Sequence, residues 1–172
     1  QANSDLLRSL ALDANDDSGA STDTPLLEVT LIEGKDIPSK DFGSESDCYA
    51  TVQLLNEKHE PVLSKEQQQL LRTTVIENNK NPKWQTSDGF LFRFNQKHIP
   101  VDTIRNVHYL LFCVFDEDSI GASDLIGSYE LPVSTIKDNG KTVFDEWVPL
   151  NIANTDKEQG QLHVKVKYKS IA

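Results

Sequence analysis

"VHYLLFCVFDEDSIGASDLIGSYELPV", residues 107–133, sets an apolar run, a knot of acids and a second alternating run side by side. Runs such as "VHYLLFCVF" (107–115) and "LIGSYELPV" (125–133), bounded by Asp, Ser and Gly, read as strands. Between them Asp116, Glu117, Asp118 and Asp124 crowd four acids into nine residues. Like charges this close repel, so the segment is either a solvated turn or a place for something positive.

Working outward, six more segments follow the same grammar: 26–33 (LLEVTLIE), 48–55 (CYATVQLL), 70–77 (LLRTTVIE), 90–94 (FLFRF), 143–150 (VFDEWVPL) and 161–169 (QLHVKVKYK). In the last, Leu162, Val164, Val166 and Tyr168 fall on one face, and His163, Lys165, Lys167 and Lys169 on the other. Helical periodicity is weak, in "SKEQQQLL" and the region of "DTIRNV", and a short possible helix, "SDLLRSLAL", lies within residues 1–24. Eight short strands without interleaved long helices predict an all-β, antiparallel Greek-key sandwich.

The chain has 172 residues, 37% hydrophobic and 26% charged, which suits one domain with a sizeable core. No stretch of eighteen apolar residues occurs. The net charge of −10 argues against nucleic acid as a partner. Residues 1–24 contribute −4 of it, five aspartates against Arg8, and their Asp, Ser and Thr content reads as an acidic flexible linker or extension ahead of a domain at 25–172. "DANDDSG" fails as an EF-hand loop, because Ser18 and Thr24 stand where that loop needs Gly and Glu. The absence of Met at position 1 suggests a fragment or processed chain. Two cysteines without metal or redox spacing, and no Asn-X-Ser/Thr site, favour a reducing, cytoplasmic setting.

In an antiparallel sandwich, loops after alternate strands emerge at one end. The loops after the first, third and fifth strands therefore share a tip, which brings Asp41 and Asp47 toward Asp116, Asp118 and Asp124. Such an oxygen-rich set suits a hard divalent cation, and calcium suits a flexible loop site better than magnesium does. These loops hold no Cys or His inside them, so soft metals are not expected.

"KDFGSESDCYATVQL", "NPKWQTSDGFLFRF" and "VFDEDSIGASDLIG" together resemble the three calcium-loop signatures of the C2 domain, the calcium- and phospholipid-binding module first described in protein kinase C. The resemblance covers about residues 25–169. Asp41 and Asp47, six apart, match the first loop; Asp116, Asp118 and Asp124 match the third; Asn-Pro-x-Trp lies between. Cys48 departs from the family's usual Pro, as in some cytosolic calcium-dependent phospholipases, and "TSDG" lengthens loop two, where Asp88 is read as a turn residue. The chain opens on the strand leading into loop one and closes on "GQLHVKVKY", which is the second (type II) of the family's two circular permutations.

The resemblance implies two or three calcium ions held by the five aspartates, with the backbone carbonyls of Lys40 and Glu117 as further oxygen ligands. It implies calcium-triggered binding to anionic phospholipid membranes by a monomeric, cytoplasmic, peripheral protein, with a protein partner as a further expectation. Phe42 and Ile120 either enter the lipid interface or fold back onto the sandwich. Lys165, Lys167 and Lys169 are either a solvated face or a basic lipid patch. Two other readings remain: a calcium-independent interaction module, and a D-x-D phosphatase-like enzyme. The second would need an α/β sheet, but only 54 residues follow Asp118 and they read as three strands. The four histidines are scattered without ligand spacing, and no nucleophile or phosphate-loop motif is present. A non-catalytic domain is expected, whatever its parent protein does.

Overall fold

A computed structural model describes residues 25–39, 44–84, 90–95, 99–117, 123–137, 143–152, 155 and 157–168. Among these residues seven strands form, in chain order β1 (Pro25–Lys35), β2 (Cys48–Leu55), β3 (Phe90–Asn95), β4 (Tyr109–Asp116), β5 (Asp124–Pro132), β6 (Val143–Asn151) and β7 (Glu158–Tyr168). Three short helices are described between them: α1 (Lys65–Gln68), α2 (Val101–Arg105) and α3 (Ser134–Lys137). The first two lie where weak helical periodicity was expected. Ser64 starts α1 with a reciprocal capping box, its hydroxyl taking the Gln67 N–H.

All described strand pairs are antiparallel, in the order β2-β4-β5-β6-β7-β1-β3. The ladder nearly breaks at β5–β6, where only Ser128 and Asn151 pair. There the sheet curls into the two layers of a sandwich. Gly127 sits at this seam, where a Cβ would lie 3.0 Å from the Leu150 Cβ and 3.1 Å from the Asn151 carbonyl oxygen. The first and last strands, β1 and β7, pair directly, as the type II permutation requires.

The core lies between the layers. Val29, Leu31, Ala50, Val52, Leu54, Trp84, Phe92, Phe94, Leu110, Phe112, Val114, Leu150, Leu162, Val164 and Val166 are all buried there. Each large side chain withdrawn from water contributes roughly 1.5–3 kcal/mol, and the alternation in β7 buries the apolar face anticipated for it.

The expected eighth strand, 70–77, is the one correction to the strand count. This segment runs beside β2 but pairs with it in isolated bridges, Thr51 with Arg72 and Cys48 with Ile76, rather than in a continuous ladder. Between those bridges the Ala50 N–H goes to the Thr73 hydroxyl at 2.9 Å rather than to a backbone carbonyl. A side chain has taken a rung of the ladder. With this segment counted, four chains still line each layer.

Candidate metal centre at the aspartate tip

Three of the five expected aspartates are described, and the strands place them at one end. Asp47 leads into β2, Asp116 ends β4 and Asp124 begins β5. Cys48 is in register with Asp116, and Asp116 with Asp124. Directly opposed residues share a face of the sheet, so Asp116 and Asp124 project to the same side.

Hydrogen bonds lock the first and third loops together. The Asp47 N–H donates to Asp116 Oδ1 at 3.0 Å, and the Glu117 N–H donates to the Asp47 carbonyl at 2.8 Å. Loop two closes the group, because the Asn78 N–H donates to Asp47 Oδ1 at 2.7 Å. Asp116 is only 6% exposed. A carboxylate so placed beside a second one is costly to bury, and a cation is the natural compensation.

The field at the tip also registers on Cys48. Its thiol is pushed up to about 12, by burial first and then by the carboxylates of Asp116 and Asp47. The side chains that Asp47, Asp116 and Asp124 bring to this end are carboxylates, a donor type that suits a hard cation.

Among the described residues no group of three or more His, Cys, Asp or Glu side chains closes around a single point. Asp41 and Asp118, the other expected ligands, lie outside the described residues. So do Lys40, Phe42, Ile120, Asp88 and Lys169. Glu117 is described: its carboxylate meets Arg72 at 3.6 Å, and that guanidinium sits 3.8 Å from the centre of the Tyr49 ring. Tyr49 stacks on Phe115, the residue before Asp116, with centroids 5.3 Å apart.

The lysines of β7 are not a purely basic stripe. Lys165 is in register with Thr30 and Asp145, and Lys167 with Glu28 and Val143. One acid thus faces each lysine across the sheet, Glu28 being paired with Arg93 at 3.1 Å and Asp145 with His163 at 2.6 Å. Further along, His163 contacts Asp145 at 2.6 Å and stacks on Trp147, which is 39% exposed.

Residue spacing placed loop two at the tip but gave no sign of its backbone contacts. Besides Asn78, Pro82 accepts the Gly34 N–H at 2.8 Å, Lys80 accepts the Ile37 N–H at 2.9 Å, and Asn81 Oδ1 accepts the Asp36 N–H at 3.0 Å. Asn78 has φ 47°, in the left-handed region that Asn tolerates better than most residues. The "ENNKNP" run was the available signal, a turn composition adjoining Asn-Pro.

The family described as "C2 domain" matches residues 25–150. Human Ras GTPase-activating protein 4B is 30% identical over 142 residues, covering 82% of this chain and 15% of that protein. Synaptotagmin-4 of Arabidopsis thaliana is 29% identical over 146 residues, covering 83% of this chain and 22% of that protein. Among solved structures, the C2A domain of a plant extended synaptotagmin 1 superimposes with TM-score 0.60 at 21% identity, covering 87% of this chain and 98% of that one. Human GIVD cytosolic phospholipase A2 gives TM-score 0.56 at 19% identity, covering 82% and 16%. The chain thus spans about a sixth of the length of the Ras GTPase-activating relative.

Proposed function

The chain belongs to the C2 domain family, and on that premise we propose that it docks a larger protein on anionic phospholipid membranes when its aspartate tip takes up calcium. C2 domains are membrane-binding modules and typically not catalytic, so the module itself performs no chemistry. The observation that carries the calcium reading is the buried Asp116 carboxylate, tied to Asp47 across two loops.

Asp41, Asp47, Asp116, Asp118 and Asp124 are the proposed ligands, with the backbone carbonyls of Lys40 and Glu117 beside them. Bound calcium would supply positive charge and open coordination positions for lipid phosphate. The protein's part is preorganisation: Asp47 and Asp116 are held before the cation arrives by the Asn78 and Asp47 N–H groups. Five negative charges repel an anionic leaflet until they are neutralised, so calcium and lipid should bind cooperatively. Phe42 and Ile120 are the proposed apolar residues at the lipid interface. Lys165, Lys167 and Lys169 are a weaker proposal, since Asp145 and Glu28 stand across the sheet from the two that are described. In a longer protein the module would set where a neighbouring activity operates.

Calorimetric titration with calcium, with and without phosphatidylserine vesicles, tests the proposal. Heat that grows tighter with lipid supports it. No heat and no vesicle binding at millimolar calcium would instead assign a calcium-independent interaction module. Full vesicle affinity in a Phe42→Ala, Ile120→Ala double variant would remove the insertion step alone.

A further inference from the structure

We infer that Asn78 is a positioning residue for the calcium site, acting through its backbone conformation rather than as a ligand; this rests on the calcium reading above. Asn78 is the described residue of loop two that reaches a proposed ligand carboxylate, giving its N–H to Asp47 Oδ1 at 2.7 Å. Its own side chain is turned to other work, because Asn78 Oδ1 accepts the Glu45 N–H at 2.8 Å. Glu45 answers through Oε2, which takes the Lys80 N–H at 3.1 Å, while Asn79 N–H binds the Ser46 carbonyl at 3.2 Å. Residues 45–47 and 78–80 therefore form one clasp, and the N–H aimed at Asp47 is its functional end.

The direction of that N–H depends on φ 47° at Asn78. Left-handed backbone is reached freely by Gly, tolerated by Asn and resisted by residues with a branched Cβ. From Asp47 the order passes on, since the Asp47 N–H holds Asp116. A residue that escapes the left-handed region in the calcium-free protein lets Asp47 turn away. Calcium must then drive the return, and apparent affinity falls by the fraction of molecules left in the competent form.

The test compares Asn78→Val, Asn78→Ala and Asn78→Gly in the 172-residue chain, titrated with calcium chloride alone by calorimetry. Unfolding in EGTA establishes that each variant is folded. Asn78→Val should weaken calcium binding by about tenfold, the scale of the left-handed penalty for a residue with a Cβ. Asn78→Ala should fall between, which keeps the test usable if the Val variant does not fold. Asn78→Gly should restore affinity to within about threefold of the parent, because Gly keeps both the conformation and the N–H. Loss of affinity in Gly as large as in Val would overturn the inference and make the side chain itself the ligand. Unchanged affinity in Val and Ala, with only a lowered melting temperature, would overturn it as well and leave a purely structural role. If the parent chain binds no calcium, the calcium reading fails first and this inference with it.

Discussion

Replacing Asp116 by Asn should reverse the order of stability with and without calcium. The two side chains are isosteric, and the amide oxygen can still accept the Asp47 N–H that now lies 3.0 Å from Oδ1. What disappears is one negative charge, 6% exposed, between Asp47 and Asp124. Two unit charges 4 Å apart interact by about 4 kcal/mol at an effective dielectric of about 20. Asp124 is exposed and Asp47 half-buried, so water screens part of this. Relief of repulsion should therefore stabilise the calcium-free variant by about 1–2 kcal/mol, the new NH2 finding acceptors among the neighbouring carboxylates. For a domain of this size that is a rise in melting temperature of roughly 2–8 °C. The parent chain should gain about 2.7 kcal/mol at a calcium concentration one hundred times its dissociation constant, or roughly 5–11 °C. The variant should gain little. Differential scanning calorimetry in EGTA and in calcium reads both shifts, with the variant melting higher in the first buffer and lower in the second. A variant that melts lower in EGTA would mean that Asp116 is not under net repulsion, and one that keeps the full calcium shift would mean that Asp116 does not bind the cation.

Alkaline pH should expose the buried thiols. Cys48 and Cys113 are pushed up to about 12 and about 11, chiefly by burial, against an unfolded value near 9. The folded state thus holds protons that the unfolded chain releases, so stability is intact below about pH 9 and lost as pH climbs toward 12. Urea melts from pH 8 to 11 should show the decline, and Cys48→Ala should flatten it. Gly127→Ala should lower stability by about 1–3 kcal/mol through overpacking at the seam, where Leu150 and the Asn151 carbonyl leave 3.0–3.1 Å; equal denaturation midpoints would contradict that. The two tryptophans should part under acrylamide, since Trp84 has no exposure and Trp147 has 39%. Trp147→Phe should leave emission almost unquenched, and strong residual quenching would mean that Trp84 is not enclosed.

Period-two segments made the sandwich legible, because β7 and its neighbours bury one face and wet the other, and that alternation is written in residue types. Segment 70–77 carried the same apolar content but was misread as a full strand. What breaks its ladder is the Thr73 hydroxyl bonding Ala50 N–H, a local competition that periodicity does not register. The short helix α3 was missed because its four residues follow directly on β5, with only Val133 between them. At the tip, the spacing of the acids and the sense of the strands sufficed to bring Asp47, Asp116 and Asp124 to one end. Asp41 and Asp118 lie outside the described residues, and their part stays a proposal. The lysines of β7 looked basic in isolation; their cross-strand acids, Glu28 and Asp145, are far away in sequence. Asn78 escaped notice for a related reason. Its contribution is a backbone N–H and a left-handed φ, neither of which a ligand-type search weighs.

If calcium converts the acidic tip into a surface for anionic lipid, vesicle binding must follow the cation. Co-sedimentation of the chain with vesicles of phosphatidylserine and phosphatidylcholine, in calcium and in EGTA, reads that dependence. Pelleting is expected with phosphatidylserine in calcium, little with phosphatidylcholine alone, and release by EGTA or high salt. Equal pelleting in calcium and EGTA, or none in either, would contradict it.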